Sequence, residues 1–324
     1  MSDHGEAAAR AGRPGAGVRQ ETGGRVSDHG EAAARAGRPG AGVRQDTGGR
    51  VSDHGEAAAR AGRPGAGVPQ DTGGRVSDHG EAAARVGGED RKAELAEALA
   101  AVEARIERAC AAAGRRRDEV RLLAVTKTFP ASDVALLTDL GLTDFAENRD
   151  QEAGPKAEEV AELRPEARVR WHMVGRLQRN KARSVVRWAH EVQSVDSIRL
   201  ADALAKAVRA QGTPPLAVLI QASLDADPAR GGCPLSELDA LAGYIAGAGG
   251  LDLRGVMAVA PLGADPAEAF ARLAEVAVRL RRDHPGATEV SAGMSGDLEQ
   301  AIARGATCVR VGTALLGGRG LASP

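Results

Sequence analysis

Apolar positions follow two unlike regimes along this chain, and the change comes near Glu89. Beyond it, Leu95, Leu99, Val102, Ile106 and Cys110 recur at the spacing of a helix with one apolar face, which the pattern ends near Gly114. Short apolar runs of strand length and composition then follow at 120–126, 143–147, 168–174, 191–195, 216–222, 253–259, 288–291 and 307–311. Amphipathic stretches lie between most of them, for example 235–248 and 266–282. The second opens with Asp265 in the N-cap position, Pro266 at the first helical position and Glu268 three after the cap, which are start signals for a helix. Eight strand–helix alternations within 90–320 predict an α/β protein with a single (β/α)8 TIM-type barrel. A doubly wound open sheet is the alternative; the barrel is preferred because almost no chain follows the last strand.

Before residue 90 there is no Leu, Ile, Phe, Trp or Tyr. A 25-residue unit, SDHGEAAARAGRPGAGVRQ(E/D)TGGRV, starts at Ser2, Ser27 and Ser52, and a truncated fourth copy runs from Ser77 to about Arg85. Burying alanines and a few valines cannot offset a backbone ordering cost of about 1–2 kcal/mol per residue. Residues 1–89 are therefore expected to be a disordered low-complexity segment, with EAAAR pieces too short to persist as helix on their own. Each copy carries one histidine (His4, His29, His54, His79), which lacks the clustered ligands a metal requires.

Composition narrows the remaining choices. Lys and Arg total 43 against 44 Asp and Glu, a formal net charge of −1, so nothing favours nucleic acid or an acidic membrane as partner. Three widely spaced cysteines, Cys110, Cys233 and Cys308, offer neither a disulfide framework nor a C-x-x-C metal site. No apolar run reaches membrane-spanning length and no signal-peptide core precedes the repeats, so a cytoplasmic protein is expected. The basic residues are overwhelmingly arginine; the lysines are Lys92, Lys127, Lys156, Lys181 and Lys206.

A barrel of this kind works at the C-terminal ends of its strands. Those ends carry Lys127, Glu147 and Asn148, His172, Ser194 to Asp196, Gln221, Met257, Ser291 to Ser295 and Arg310 to Thr313. Lys127 closes the run Leu122–Thr126, where partial desolvation would leave some of its amine neutral and nucleophilic toward an aldehyde, a chemistry arginine cannot offer. A solvated loop lysine is the plainer alternative. Ser291-Ala292-Gly293-Met294-Ser295 and Arg310-Val311-Gly312-Thr313 combine glycine with hydroxyl donors at helix starts, as phosphate loops do. They also read as ordinary glycine-containing turns, and Asp297 would repel a phosphate unless turned away. A Schiff-base lysine and a phosphate cradle on one rim are what pyridoxal 5′-phosphate requires, and Arg310 would then face its pyridine nitrogen and weaken the electron sink. His172 would orient the ring or serve as a hydrogen-bonded core histidine, and Met257 would pack beneath the ring or simply in the core.

LLAVTKTFP (122–130), FAENRDQE (145–152), WHMVGRLQRNK (171–181), SVDS (194–197), GVMAVAP (255–261) and SAGMSGDLEQAIARGATCVRVGTALLG (291–317) together resemble the pyridoxal-phosphate-binding homeostasis proteins, whose fold is that of the alanine racemase N-terminal barrel. The resemblance implies that Lys127 forms the Schiff base, that Ser291, Met294, Ser295, Gly312 and Thr313 bind the phosphate, that Arg310 lies beside the pyridine nitrogen, and that Asn148 and His172 lie near the ring. Ala146 and Arg149 depart from the glycine and tyrosine common in FGENY, and residues 222–231 depart from the usual lysine-containing loop, which weakens any partner role for those loops.

The racemase relatives need a second proton-transfer group, a tyrosine from an appended β-domain. Here the chain ends at Pro324, Tyr244 is the sole tyrosine and falls in an expected outer helix, and Cys233 and Cys308 are the remaining substitutes. The expectation is a monomeric carrier of pyridoxal phosphate without robust turnover, meeting pyridoxal-phosphate-dependent apo-enzymes transiently. A one-base amino-acid racemase and a Schiff-base aldolase acting on phosphorylated substrates are the alternatives.

The near-identity of the repeats also fits an in-frame expansion or a start placed too far upstream. An intact mass of the native protein near 33.2 kDa would retain the repeats and end the upstream-start version.

Overall fold

In the computed structural model, which describes residues 78–318 apart from 226 and 228–230, all eight expected strands form. The repeats up to residue 77 lie outside the described residues. The strands are β1 (Arg121–Val125), β2 (Asp144–Glu147), β3 (Arg170–Met173), β4 (Glu191–Val195), β5 (Leu216–Ser223), β7 (Leu251–Met257), β8 (Glu289–Ser291) and β9 (Cys308–Val311). A two-residue strand, β6 (Cys233–Pro234), adds itself to the end of β5 and was not visible in the pattern. All pairings are parallel; the order β4-β3-β2-β1-β9-β8-β7-β5 closes through β4–β5, so the sheet is the expected barrel.

Helices return the chain between strands: α2 (Ala131–Asp139), α3 (Asp150–Leu163), α4 (Ala182–Val185), α5 (Ile198–Gln211), α6 (Leu238–Gly247), α7 (Pro266–Asp283) and α8 (Leu298–Ala303), with α9 (Thr313–Leu316) after the last strand. The expected N-cap forms, Asp265 accepting from Ala267 N at the start of α7, and Ser197 caps α5 likewise by accepting from Leu200 N. β7 starts at Leu251, earlier than the apolar run indicates, because Gly249 and Gly250, with φ of 62° and 85°, form the turn that feeds it.

The first helix, α1 (Asp78–Ala112), buries Leu95, Val102, Ile106 and Cys110 as its periodicity predicts. It begins inside the fourth repeat copy, within the segment expected to lack structure. Alanine, glutamate and arginine are good helix formers, and extending an existing helix avoids the nucleation cost that defeats an isolated EAAAR piece.

Alternation along each strand divides the side chains between two environments. Leu122, Ala124, Phe145, Trp171, Val218, Ile220, Val256, Val290 and Val309 join the layer between strands and helices. Leu123, Ala146 and Cys308 form a much smaller apolar cluster with Val125 and Val174. The complementary strand positions hold polar side chains, including Arg121, Asp144, His172, Glu191, Gln193, Ser291 and Arg310.

Close packing at the rim fixes Gly293. Its φ is 91°, and a Cβ there would come within 2.6 Å of the Ala301 Cβ and 3.1 Å of the Leu298 Cα. Gly293→Ala should cost about 1–3 kcal/mol in urea denaturation, whereas Gly286→Ala, at an open position with nothing within 4 Å, should leave stability near wild type.

Candidate functional site

Strand order decides which loops meet at the mouth. β1 lies between β2 and β9, and β9 lies beside β8. Lys127, two residues past β1, therefore adjoins Gly312 and Thr313 after β9, and the loop from Gly293 to Ser295 is the next one round. A Cβ on Gly312 would sit 3.2 Å from Val125 O, so glycine lets these two strand ends approach.

Lys127 is exposed rather than partly desolvated as the apolar run predicted, because a turn carries it beyond the strand end. The next residue, Thr128, has φ of 71° and is the one non-glycine residue with positive φ among the described residues. A β-branched residue is held there only by its surroundings. Those surroundings begin two residues earlier. Thr126 Oγ1 donates to Glu147 Oε1 at 2.7 Å, while Lys156 Nζ, from α3, donates to Thr126 O at 2.9 Å and to Glu147 Oε1 at 2.7 Å. Glu147, expected on the rim, is instead fully buried against α3 and clamps the backbone next to Lys127. Asn148 is half-buried at the end of β2, and its carbonyl leaves no room for a side chain at position 175, where a Cβ would lie 2.1 Å away.

Arg310 is buried, with Nη1 donating to Ser291 Oγ at 2.8 Å and Nη2 to Ala258 O at 2.8 Å. It makes no ion pair among the described residues, and burial pushes its guanidinium down from its ordinary value. Ser291, expected to bind phosphate, donates its hydroxyl to Gln193 Oε1 at 2.7 Å. The strand's alternation turns it into the barrel, so its hydroxyl is committed there. Met257 is buried in register with Ser291. Met294 and Thr313 are exposed and Ser295 is half-buried. Asp297 turns its carboxylate onto Met294 N at 2.6 Å and closes the loop on itself.

Both outer loops are tied to α1. Arg105 Nη1 donates to Ser295 O at 3.0 Å, and Arg91 Nη2 to Leu316 O at 3.0 Å and to Asp133 Oδ2 at 2.9 Å.

Of the two roles expected for His172, ring-facing residue or hydrogen-bonded core histidine, the structure shows the second. His172 is fully buried inside the barrel with Nδ1 3.0 Å from Glu191 Oε1 and Nε2 2.9 Å from Asp144 Oδ1. Both nitrogens are taken, because the parallel register sets His172 beside the first residue of β4 rather than at the mouth. Arg121 reaches Asp144 at 3.3 Å, Glu191 at 3.5 Å and Glu289 at 2.7 Å, and Gln193 Nε2 donates to Glu191 Oε1 at 2.7 Å. A continuous polar chain thus runs from Arg121 through His172, Glu191, Gln193 and Ser291 to Arg310. Lys156, Asp144, Glu191 and Gln193 were not singled out from the sequence. For the last three, the available signal was polar residues at alternate positions of otherwise apolar strands.

Each candidate second proton-transfer group is hydrogen-bonded elsewhere or buried. Tyr244, on α6, donates its hydroxyl to Asp202 of α5 at 3.0 Å. Cys308 is buried in the barrel and Cys233 beside β5; burial, with the charges of Glu237 and Asp196, pushes the Cys233 thiol up to about 11. Among the described residues no group of three or more His, Cys, Asp or Glu could hold a metal, and no helix is long and apolar enough to cross a membrane.

Residues 98–320 match the alanine racemase N-terminal domain family. The pyridoxal phosphate homeostasis protein of Mycobacterium bovis is 48% identical over 249 residues, 72% of this chain and 96% of that protein. The Escherichia coli protein of the same name is 38% identical over 232 residues, 70% of this chain and 97% of that one. The structure of PipY from Synechococcus elongatus with PLP bound superposes with a TM-score of 0.60 at 34% identity, covering 69% of this chain and all of that chain.

The buried histidine cluster fixes a pH optimum for stability. Burial raises Asp144 and Glu191, but the hydrogen bonds from His172, with the charge of Arg121, outweigh it and hold both at about 2, below their ordinary 3.8 and 4.5. Burial lowers His172, yet its two carboxylate partners outweigh that and raise it above 6.5. The carboxylates stabilise the fold above their ordinary values, and that contribution is lost as pH falls toward 2. The His172 contribution is full below 6.5 and is lost as pH rises through its raised value. Urea denaturation should therefore show greatest stability from this cluster between about pH 4.5 and 6.5, with His172→Gln flattening the alkaline limb.

Proposed function

The chain belongs to the pyridoxal phosphate homeostasis protein family, built on the alanine racemase N-terminal barrel, and on that premise we propose that it binds pyridoxal 5′-phosphate at the barrel mouth and holds it on Lys127 as a carrier without robust turnover. The observation that supports this most is the convergence of an exposed amine, two glycine-containing loops and a buried, unpaired guanidinium on adjacent strand ends. These residues fit the cofactor. Arg310 has two of its five donors engaged through Nη1 and Nη2 and forms no ion pair among the described residues, so it suits an electron-rich ring atom. Ser295 and Thr313 hydroxyls and the Gly312–Thr313 backbone suit a phosphate.

When bound, the group supplies an aldehyde that a primary amine can condense with and an aromatic ring able to accept electrons. Lys127 provides that amine. The Thr126–Glu147–Lys156 clamp orients the backbone from which Lys127 extends, so the amine is offered from a fixed strand end. Arg310 keeps its own protons over the whole physiological range, so it donates hydrogen bonds without giving up a proton. It would leave a facing ring nitrogen unprotonated, and the ring a weak electron acceptor. Turnover of amino acids on two faces needs a second proton-transfer group. Tyr244 is occupied with Asp202 on the outer helices, and the Cys233 thiol stays protonated at neutral pH. Both support holding the cofactor over transforming substrates. In this reading the protein works in the cytoplasm as a monomer and passes the cofactor to pyridoxal-phosphate-dependent apo-enzymes by transient contact.

Loading with pyridoxal phosphate and reducing with borohydride should leave a modified lysine at Lys127 by peptide mass mapping. Lys127→Ala should carry no label and keep its thermal transition, since Lys127 makes no hydrogen bond or ion pair among the described residues. Label retained on that variant would refute the assignment.

A further inference from the structure

Charge is evenly mixed along most of this chain but not after β3. Between Glu166 and Glu191 there is no acidic residue, while Arg176, Arg179, Lys181, Arg183 and Arg187 all fall in that interval. The four arginines are exposed and Lys181 is half-buried. None of the five forms an ion pair among the described residues. Arg108, Arg199, Arg272 and Arg304 also form no ion pair among the described residues, but each has an acid within five positions along the chain, whereas residues 167–190 contain none. Five cations left unpaired on one short segment of a chain with net charge −1 form a local positive field, not an average surface.

The segment is held rigidly. Arg179 and Lys181 bound a single 3-10 turn and Arg183 lies on α4, both pinned by the buried Leu177, Ala182 and Val185. Between it and α3 runs a cleft of about 680 Å³, lined by Gly154, Pro155 and Ala157 on one side and by Trp171, Lys181 and Trp188 on the other. Gly154 opens it: a Cβ there would meet only Trp188 Cδ1, at 3.7 Å. The acids on the α3 side are Asp150, which accepts from Trp188 Nε1 at 3.0 Å, and Glu158; neither pairs with the basic segment. Lys181 also lines a second cleft of about 580 Å³ with Asn148 and Arg176, so the basic face runs on to the rim of the barrel mouth.

An apolar cleft lined by the unpaired Arg187, with Arg179 and Arg183 on the adjoining turn and helix, has the anatomy of a protein interface, in which a seated anchor side chain is surrounded by a polar rim and arginine is enriched. We propose that this face is a docking surface for a partner protein presenting an acidic segment with one aromatic or branched apolar anchor. The anchor fills the cleft beside Trp188, and the acids pair with Arg179, Arg183 and Arg187. The arginines speed encounter and set orientation, and the cleft supplies residence time. Single-stranded nucleic acid suits the face less well, because base stacking needs open aromatic rings and Trp171 and Trp188 are only 4% and 9% exposed. This inference goes beyond cofactor binding and does not rest on it.

The test uses the full chain and a fluorescent twelve-residue peptide of Asp and Glu with one central Trp. Arg179→Glu/Arg183→Glu/Arg187→Glu should weaken binding by about tenfold or more at low salt, the sum of three modest ion pairs. Raising the salt should narrow the gap between wild type and variant, and replacing the peptide's Trp by Ala should weaken binding to wild type severalfold. Should the triple variant lose its thermal transition, Arg179→Ala/Arg183→Ala must show a smaller loss in the same direction. Equal affinity of wild type and variants for the peptide would overturn the proposal. So would tighter binding of a twelve-nucleotide oligouridine than of the peptide.

Discussion

The hydrogen-bonded charges inside the barrel are the constraint from which the rest of the structure follows. A cylinder this narrow admits little water, and ionised groups within it are tolerated only when each meets a partner. Arg121, Asp144, His172, Glu191 and Glu289 come from β1, β2, β3, β4 and β8, so satisfying them fixes five strands relative to one another at once. Removing one member would strand the others in low dielectric. The barrel's interior is therefore specified by polar geometry, while its outer layer is specified by ordinary apolar packing against the helices.

The mouth inherits its order from that interior. Gln193 and Ser291 carry the polar chain upward, and it ends at Arg310. Arg310 is buried and forms no ion pair among the described residues, so the pairing that governs the lower barrel stops just below the rim. On the outside, the Glu147–Lys156 pair does for Lys127 what the inner chain does for Arg310. It fixes the strand end on which the functional side chain stands without occupying that side chain.

Much of this was legible in the linear sequence, and the reasons differ by residue. The strands declared themselves because parallel barrel strands are apolar runs bounded by turn residues, and β4 matched residue for residue. Lys127 and the glycines at 293 and 312 could be placed because each follows an apolar run, and Arg310 because it is the charged residue within one. The sequence could not choose between the two readings of His172, since its neighbours depend on how far β3 is staggered against β4, a quantity that the one-dimensional pattern does not contain. Asp144, Glu191 and Glu289 sit at strand beginnings, where a charge in the sequence looks like a solvated boundary; only closure of the sheet turns them inward. Lys156 was invisible for another reason: it lies on a helix, and its role exists only because α3 folds back over the end of β1.

The two arginines of α1 join parts that the chain otherwise treats separately. Arg105 holds the carbonyl of Ser295 and Arg91 that of Leu316, so the segments that follow β8 and β9 hang from one rod. Fourteen residues of helix separate the two grips, a span of about 21 Å at 1.5 Å per residue. The distance across this side of the opening is thus gauged by helical rise, much as a calliper is set by its beam. A bend or slip in α1 would register on both segments together.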